Sequence, residues 1–386
     1  MGYGQDLTFV CRTPTRIVFG NGSASEIGIE AEGLGIHRAF LLTDMGVASS
    51  GLVERVRKSL GQSFAGIYQD IPQDNGVTAI ERAVELARTL EADGVVSLGG
   101  GSVMDAAKAV AVLLTEGGSL KDYEGVQMLR RRLIPHIAIP TTAGTGSEVT
   151  FTAVIKDHDR KRKILLHDFH LAPDVGILDP AMTATMPPRV TAFTGMDALT
   201  HAVEALHSLQ AQPMTDALAL HALRLIGDNL PRCVEQGSDL VARGQMQIAA
   251  TIAGQAFANA QLGVVHAIAH TLGALFGVPH GLANAILLPF GMRFNASVCA
   301  DRYAMAAEAL GARAAGATDA QAADAAAATV DTLTARLGLP PLLRDVGVPR
   351  DGLRACAEQA LSDEAIEHNP RPATADDLEQ ILNEAW

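Results

Sequence analysis

Short apolar runs alternate with longer amphipathic stretches from Arg38 to about Thr142, the pattern of strands and crossover helices in a parallel α/β sheet. Residues 39–43, 64–68, 94–98 and 136–140 are predicted strands. Residues 51–60, 77–92 and 103–114 carry helical periodicity between them, so each strand–helix–strand step makes a right-handed crossover. From Val190 onward the alternation gives way to long Ala- and Leu-rich segments of helical period, such as 196–206 and 217–229. The predicted fold class is an α/β N-terminal dinucleotide-binding domain with a parallel sheet, residues 1–185, followed by an all-α C-terminal domain, residues 186–386. The boundary falls in the proline-punctuated stretch from Leu178-Asp179-Pro180 to Pro187-Pro188. Residues 306–328 are alanine-rich, and their helix-forming composition suits packed helices better than a linker.

A length of 386 residues fits two cores better than one. Hydrophobic residues at 48% and charged residues at 19% set disorder aside. The 43 acidic against 30 basic residues give a formal charge of −13, a field that repels phosphate backbones and anionic membranes and argues against nucleic acid as a partner. Cys11, Cys233, Cys299 and Cys356 lack CxxC spacing, so neither a disulfide framework nor a thiolate zinc site is expected, and a cytoplasmic location fits. The start, Met1 to Asp6, shows no export signal, Asp6 stands where a myristoylation signal wants Ser or Thr, and no apolar run approaches the ~20 residues of a membrane span.

The predicted strand ending at Leu98 leads into Gly99-Gly100-Gly101-Ser102 and then a helix. Glycines let backbone approach a ligand closely, and free N–H groups at a helix start favour a pyrophosphate. Taken alone, the same glycines also suit a tight left-handed turn, because the spacing is not GxGxxG. Pro140-Thr141-Thr142-Ala143-Gly144-Thr145-Gly146-Ser147 follows the next strand and adds hydroxyls and glycines at the same sheet edge. Asp44 ends the first strand of the region, where a carboxylate accepts from ribose hydroxyls and repels a 2′-phosphate, which favours NAD over NADP; a turn-forming Asp before Gly46 is the equal alternative.

Half of the 12 histidines lie between His201 and His280 in an otherwise apolar helical region. Asp197 and His201 are four apart, so on a helix both project from one face, and His266 and His270 repeat the spacing before His280. Any single histidine here reads as a core imidazole bonded to backbone. Two such pairs plus His280 read as a site for a borderline divalent cation, with room left for substrate. His207 and His221 sit off these spacings.

These segments resemble the iron-dependent (group III) alcohol dehydrogenase family. The likeness runs from Thr15-Arg16-Ile17-Val18-Phe19-Gly20 through Gly99 to Asp105, Pro140 to Thr150, Gly195 to Glu204 and Gly263 to Pro289, ending at Asn369-Pro370-Arg371. Its most specific part is Gly263-Val264-Val265-His266-Ala267-Ile268-Ala269-His270-Thr271-Leu272-Gly273 with Pro279-His280-Gly281. The resemblance implies a dehydroquinate synthase-like architecture whose helical domain binds metal through Asp197, His201, His266 and His280, with His270 as a catalytic proton relay. Intact ligand positions argue against branches of the family that have lost the metal. It also implies cofactor contacts at Asp44, Gly101, Ser102, Thr141, Thr142, Thr145 and Lys163, which Gly99, Gly100, Asp105 and Thr152 complete as the candidate set, and a pocket wall at Phe257. Fe2+ is the family's expectation, and Zn2+ satisfies the same ligands. The chain departs from the family at Gln73-Asp74-Asn75, where Asn-Pro is common, and at Thr152, where some members carry Asn.

The expected activity is NAD-linked hydride transfer between a small alcohol or aldehyde and nicotinamide C4, in a homodimer or higher homo-oligomer. Three alternatives stand beside it. A metal-dependent, NAD-using lyase of the dehydroquinate synthase type needs a basic pocket for substrate phosphate, and no Lys/Arg cluster surrounds Asp197 to His280. A hydroxyacid-specific oxidoreductase of the same family shares every residue named. A non-enzymatic NAD-binding module leaves the ligand set unexplained.

Overall fold

A computed structural model describes residues 7–73, 75–157 and 162–386. Asp6, Asp74 and Lys161, which figured in the reading of the sequence, lie outside these residues. The chain forms two compact units, Thr13–Met186 and Pro187–Trp386, the second also taking in residues 7–12. The grouping of 7–12 differs from a first domain beginning at residue 1. Its physical reason is a reciprocal pair in which Arg12 N donates to Asn259 Oδ1 at 2.7 Å and Asn259 Nδ2 donates to Arg12 O at 3.0 Å.

In the first unit, β1 (Arg16–Phe19), β2 (Ala39–Leu42), β3 (Phe64–Tyr68), β4 (Gly94–Gly99), β5 (Gly125–Val126), β6 (His136–Pro140), β7 (Thr152–Asp157), β8 (Arg162–His167) and β9 (Val175–Leu178) form two sheets. The larger is parallel throughout, in the order β1-β9-β6-β4-β2-β3. The smaller, β5-β8-β7, pairs β7 and β8 antiparallel. Helices α1 (Ile27–Gly33), α2 (Met45–Ala48), α3 (Leu52–Leu60), α4 (Val77–Thr89), α5 (Gly101–Thr115) and α6 (Pro180–Thr183) complete the unit. Strands β2, β4, β6 and β9 are buried along their whole length, which is why they read as mostly apolar runs, with Ser97 and His136 bonded to each other where they interrupt β4 and β6. Their side chains still alternate. Phe40, Leu42 and Val95 enter the core under α4 and α5, while Ala39, Leu41, Val96 and Leu98 enter the core under α1 and α3.

The predicted elements shift by a few residues at their ends. Helix α4 stops at Thr89 rather than 92 because Glu91 turns the chain with φ 49° and Ala92 N closes onto Ala87 O at 3.0 Å. Helix α5 starts two residues before the predicted 103, since Gly100 is its N-cap.

The second unit is helical: α7 (Pro188–His207), α8 (Pro213–Glu235), α9 (Leu240–Ala260), α10 (Val264–Phe276), α11 (His280–Ala309), α12 (Asp319–Arg336), α13 (Leu353–Ala360) and α14 (Ala375–Glu384). Helix α7 buries residues on every side, so it is the unit's central helix. Within the alanine-rich stretch, α11 and α12 pack on each other, α12 buries small side chains such as Ala323 and Ala327, and a break falls at 310–318. No single helix of the described residues is long and apolar enough to cross a membrane.

Candidate functional site

Three helices of the second unit converge on one point. Helix α7 supplies Asp197 and His201 one turn apart, α10 supplies His266, and His280 is the first residue of α11. Each offers a ligand-type atom, and these lie within 4.8 Å of one another. Asp197 Oδ1 is 3.7 Å from the Nε2 atoms of His201 and His266 and 3.3 Å from that of His280. Asp197, His201 and His266 are buried, and His280 is half-buried. The rings of His201 and His266 stack with centroids 4.7 Å apart, and Phe257 stacks on His201 at 4.3 Å.

A second layer orients these groups. Glu204, fully buried one turn beyond His201, accepts the Nδ1–H of His266 at 2.6 Å and the N–H of Val265 at 2.8 Å. One carboxylate thus caps the first turn of α10 and fixes the His266 tautomer with Nε2 towards the cluster. Asn369 Oδ1 accepts from the neighbouring Val264 N–H at 3.2 Å, which gives the Asn-Pro-Arg segment its local purpose. Gly263 precedes this turn because a Cβ there would stand 2.8 Å from Asn369 Oδ1 and 3.1 Å from Glu204 Oε1.

Burial alone would raise the Asp197 pKa, but the imidazoles of His201, His280 and His266 reverse this and hold its carboxyl far below the usual range. For His266, burial opposes charge, yet Glu204 and Asp197 prevail and push the imidazole up to about 9. Glu204 is likewise held ionised, with burial outweighed by His266. One carboxylate oxygen and three imidazole nitrogens, buried and backed by a carboxylate–histidine pair, form a donor set that fits Fe2+ or Zn2+.

His270 stands outside this group of four. Its Nδ1 bonds to Asp363 Oδ2 at 2.8 Å, and its ring stacks on His280 with centroids 5.2 Å apart. Asp363 is itself held as the cap of the turn Glu364–His368, where its Oδ1 accepts from Ala365 N. His207, off the ligand spacing, is buried and bonds to the Tyr303 hydroxyl.

In the first unit the glycine turn and the threonine loop are packed together. A Cβ on Gly100 would meet Thr142 Cγ2 at 3.2 Å and one on Gly101 would meet Thr145 Cγ2 at 2.8 Å, while Thr141 N donates to Gly99 O. None of Gly99, Gly100 and Gly101 has positive φ, so close approach rather than a left-handed turn explains them. Asn75 Nδ2 donates to Ser102 O at 2.7 Å and steadies the start of α5. Asp44 is the N-cap of α2, where its Oδ1 accepts from Val47 N at 2.9 Å. Thr152 opens β7 and bonds to His167; Lys163, exposed on β8, lies near enough to Asp105 to favour its ionised form, against burial that raises its pKa. Asp105 spends both oxygens internally, on Ser147 Oγ at 2.6 Å and Val154 N at 3.0 Å.

Three polar residues escaped the reading of the sequence. Lys108 is fully buried, and its Nζ donates to Ser147 Oγ, Thr150 Oγ1 and Thr152 O at 3.0, 3.0 and 2.9 Å; burial lowers its pKa to about 8. The others are Glu204 and Asn284. Their signals were available as spacings: three after Asp105, three after His201 and four after His280.

A parallel α/β unit with a glycine-initiated helix, joined in one chain to a helical unit that gathers a buried carboxylate and three imidazoles, defines a metal-dependent, dinucleotide-linked oxidoreductase. Residues 14–180 match the family "Iron-containing alcohol dehydrogenase" and residues 191–386 match "Fe-containing alcohol dehydrogenase family, C-terminal". The chain is 43% identical over 374 residues to probable alcohol dehydrogenase EutG of Escherichia coli K12, covering 96% of this chain and 92% of that protein. It is 37% identical to the NAD-dependent methanol dehydrogenase of Bacillus methanolicus, covering 96% and 98% of the two chains. A solved 1,3-propanediol oxidoreductase superposes with a TM-score of 0.96 at 37% identity, covering 98% and 100%. The chain belongs to the iron-containing alcohol dehydrogenase family, and it is a metal-dependent, NAD-linked enzyme that interconverts alcohols and aldehydes. The lyase and the non-enzymatic alternatives are thereby set aside.

Replacing Glu204 by Gln keeps the shape but weakens the hold on His266. Metal affinity is expected to fall about 10–100-fold with the fold retained, as measured by competition with a chromophoric chelator; unchanged affinity would remove Glu204 from the centre.

Proposed function

We propose that the enzyme oxidises small alcohols, or reduces the matching aldehydes, with NAD and Fe2+, through Asp197, His201, His266 and His280 as ligands and His270 as the proton relay. The observation that carries this reading is the pairing of His270 with Asp363 beside the ligand His280. When bound, the cation supplies a Lewis acid that stabilises alkoxide charge, and the nicotinamide supplies the hydride acceptor. Asp363 accepts the Nδ1–H of His270, which leaves Nε2 to take the proton that alcohol oxidation releases. Glu204 keeps the lone pair of His266 turned to the cluster, and Phe257, stacked on His201, is the apolar wall of the substrate pocket.

On the cofactor side, the backbone of Gly99, Gly100, Gly101 and Ser102 at the start of α5 would hold the pyrophosphate, together with the hydroxyls of Thr141, Thr142 and Thr145. Thr152 and Lys163 would complete the cofactor contacts. Asp105 serves by positioning the threonine loop, since both its oxygens are occupied. Asp44 excludes a 2′-phosphate with the carboxylate oxygen not used for capping. The division near residue 185 separates cofactor from metal binding. A cytoplasmic homo-oligomer accords with four free cysteines and with apolar Leu7, Phe9 and Val10 exposed near the start.

Three experiments test these assignments. His270→Ala should keep metal and melting temperature but lower turnover and flatten the pH–rate curve; loss of metal would make His270 a ligand instead. Asp44→Gly should raise the NADP-to-NAD ratio of kcat/KM, and an unchanged ratio would reduce Asp44 to a helix cap. Elemental analysis of anaerobically purified protein should recover iron in preference to zinc; zinc at full occupancy would overturn the choice of cation.

A further inference from the structure

Asn284 lies on α11 one turn beyond His280 and is fully buried. Its Nδ2 donates to Asp197 Oδ1 at 2.7 Å and stands 3.1 Å from His266 Nε2 and 3.2 Å from His280 Nε2. A primary amide has two N–H groups and cannot serve all three acceptors at once. The chemistry of the acceptors ranks them. An imidazole nitrogen has one lone pair, which a cation takes outright, whereas a carboxylate oxygen that ligates a cation keeps another lone pair for a hydrogen bond. The bond to Asp197 is therefore the one compatible with ligation, and it is also the shortest.

We propose that Asn284 is a positioning residue of the metal centre, whose amide holds Asp197 by its ligating oxygen, draws charge from that oxygen, and so sets both the affinity and the Lewis acidity of the bound cation. A hydrogen bond to a ligating carboxylate fixes its orientation and tempers its donor strength. The location on α11 adds a mechanical link. His280 and Asn284 share one helix face, and Gly281 between them seats α11 on α7, where a Cβ would stand 2.4 Å from Phe193 O and 3.3 Å from Asp197 Cβ. A displacement of Asn284 thus reaches two ligands on two helices. The inference rests on the ligand assignment proposed above.

Co2+ is a suitable probe, because its visible absorption reports coordination geometry without turnover. Binding and spectrum are measured on the full-length protein, Asn284→Ala, Asn284→Asp and His266→Ala, together with NADH affinity by fluorescence and the melting temperature of the metal-free forms. Asn284→Ala is expected to keep NADH affinity and melting temperature, to weaken Co2+ binding about 10–100-fold and to shift the visible band. Asn284→Asp, of the same shape but with an acceptor and a charge in place of the donor, is expected to bind Co2+ more tightly with an altered band. Wild-type affinity and band in Asn284→Ala overturn the proposal; if that variant fails to fold, wild-type behaviour of Asn284→Asp overturns it alone. Retention of Co2+ by His266→Ala, or no binding by the unsubstituted protein, would instead overturn the ligand assignment and the inference with it.

Discussion

A carboxylate carried into the interior of a helix bundle is the constraint around which the second unit is arranged. Asp197 is 2% exposed on the central helix, and leaving such a charge unpaired costs about 3–5 kcal/mol. The surrounding helices meet that cost with imidazoles rather than with lysine or arginine. Arginine cannot give up its proton, and lysine does so reluctantly; either would form a closed ion pair. Imidazoles keep the pairing conditional, because each can offer a lone pair instead of a proton. Glu204 extends the arrangement outward: it ties His266 to the first turn of α10, so the start of that helix and the orientation of a ligand are fixed by the same carboxylate.

Close backbone approach makes these placements possible. Gly281 lets α11 touch the carbonyl of Phe193, Gly263 lets α10 begin against Glu204 and Asn369, and Gly101 lets α5 begin against Thr145. In each case a methyl group would fall within 3 Å of an atom of the facing element. Glycine here serves distance rather than backbone conformation, since none of the three has positive φ.

Much of this was legible in the sequence, for identifiable reasons. Strands buried on both faces, such as 39–42, print as unbroken apolar runs, and α7 prints its ligand pair as a four-residue interval. The small sheet was not legible, because Lys156, Arg162 and Lys163 place charge in β7 and β8, and β5 is only two residues long. The edge strand β1 is partly exposed and was noticed through family likeness rather than pattern. Glu204, Lys108 and Asn284 were missed because helical spacing gives the face a polar residue shares and not the distant partner it meets. Glu204 meets its partner 62 positions away and Asn284 meets Asp197 87 positions away, separations that only the tertiary fold closes.

Asp105 and Asp197 then differ in a way that separates scaffold from chemistry. Asp105 is satisfied by a serine hydroxyl, itself held by the Lys108 ammonium, and by a backbone N–H, with that ammonium 3.9 Å away. Nothing further is required there, and the network holds a loop. Asp197 Oδ1 faces imidazole nitrogens, and at His266 the other nitrogen is already committed as a donor to Glu204. With that ring neutral, two acceptors face each other at 3.7 Å, which is repulsive. The Asn284 amide, 2.7 Å from Asp197 Oδ1 and 3.1 Å from His266 Nε2, lies against both acceptors, and an added positive charge removes the conflict outright. A proton does so at the cost of a raised His266 pKa, about 9, and a divalent cation does so by taking the lone pairs directly. Proton and metal therefore compete for one position, and below the raised pKa each cation bound displaces a proton, so the affinity of the centre for metal must fall as the pH is lowered.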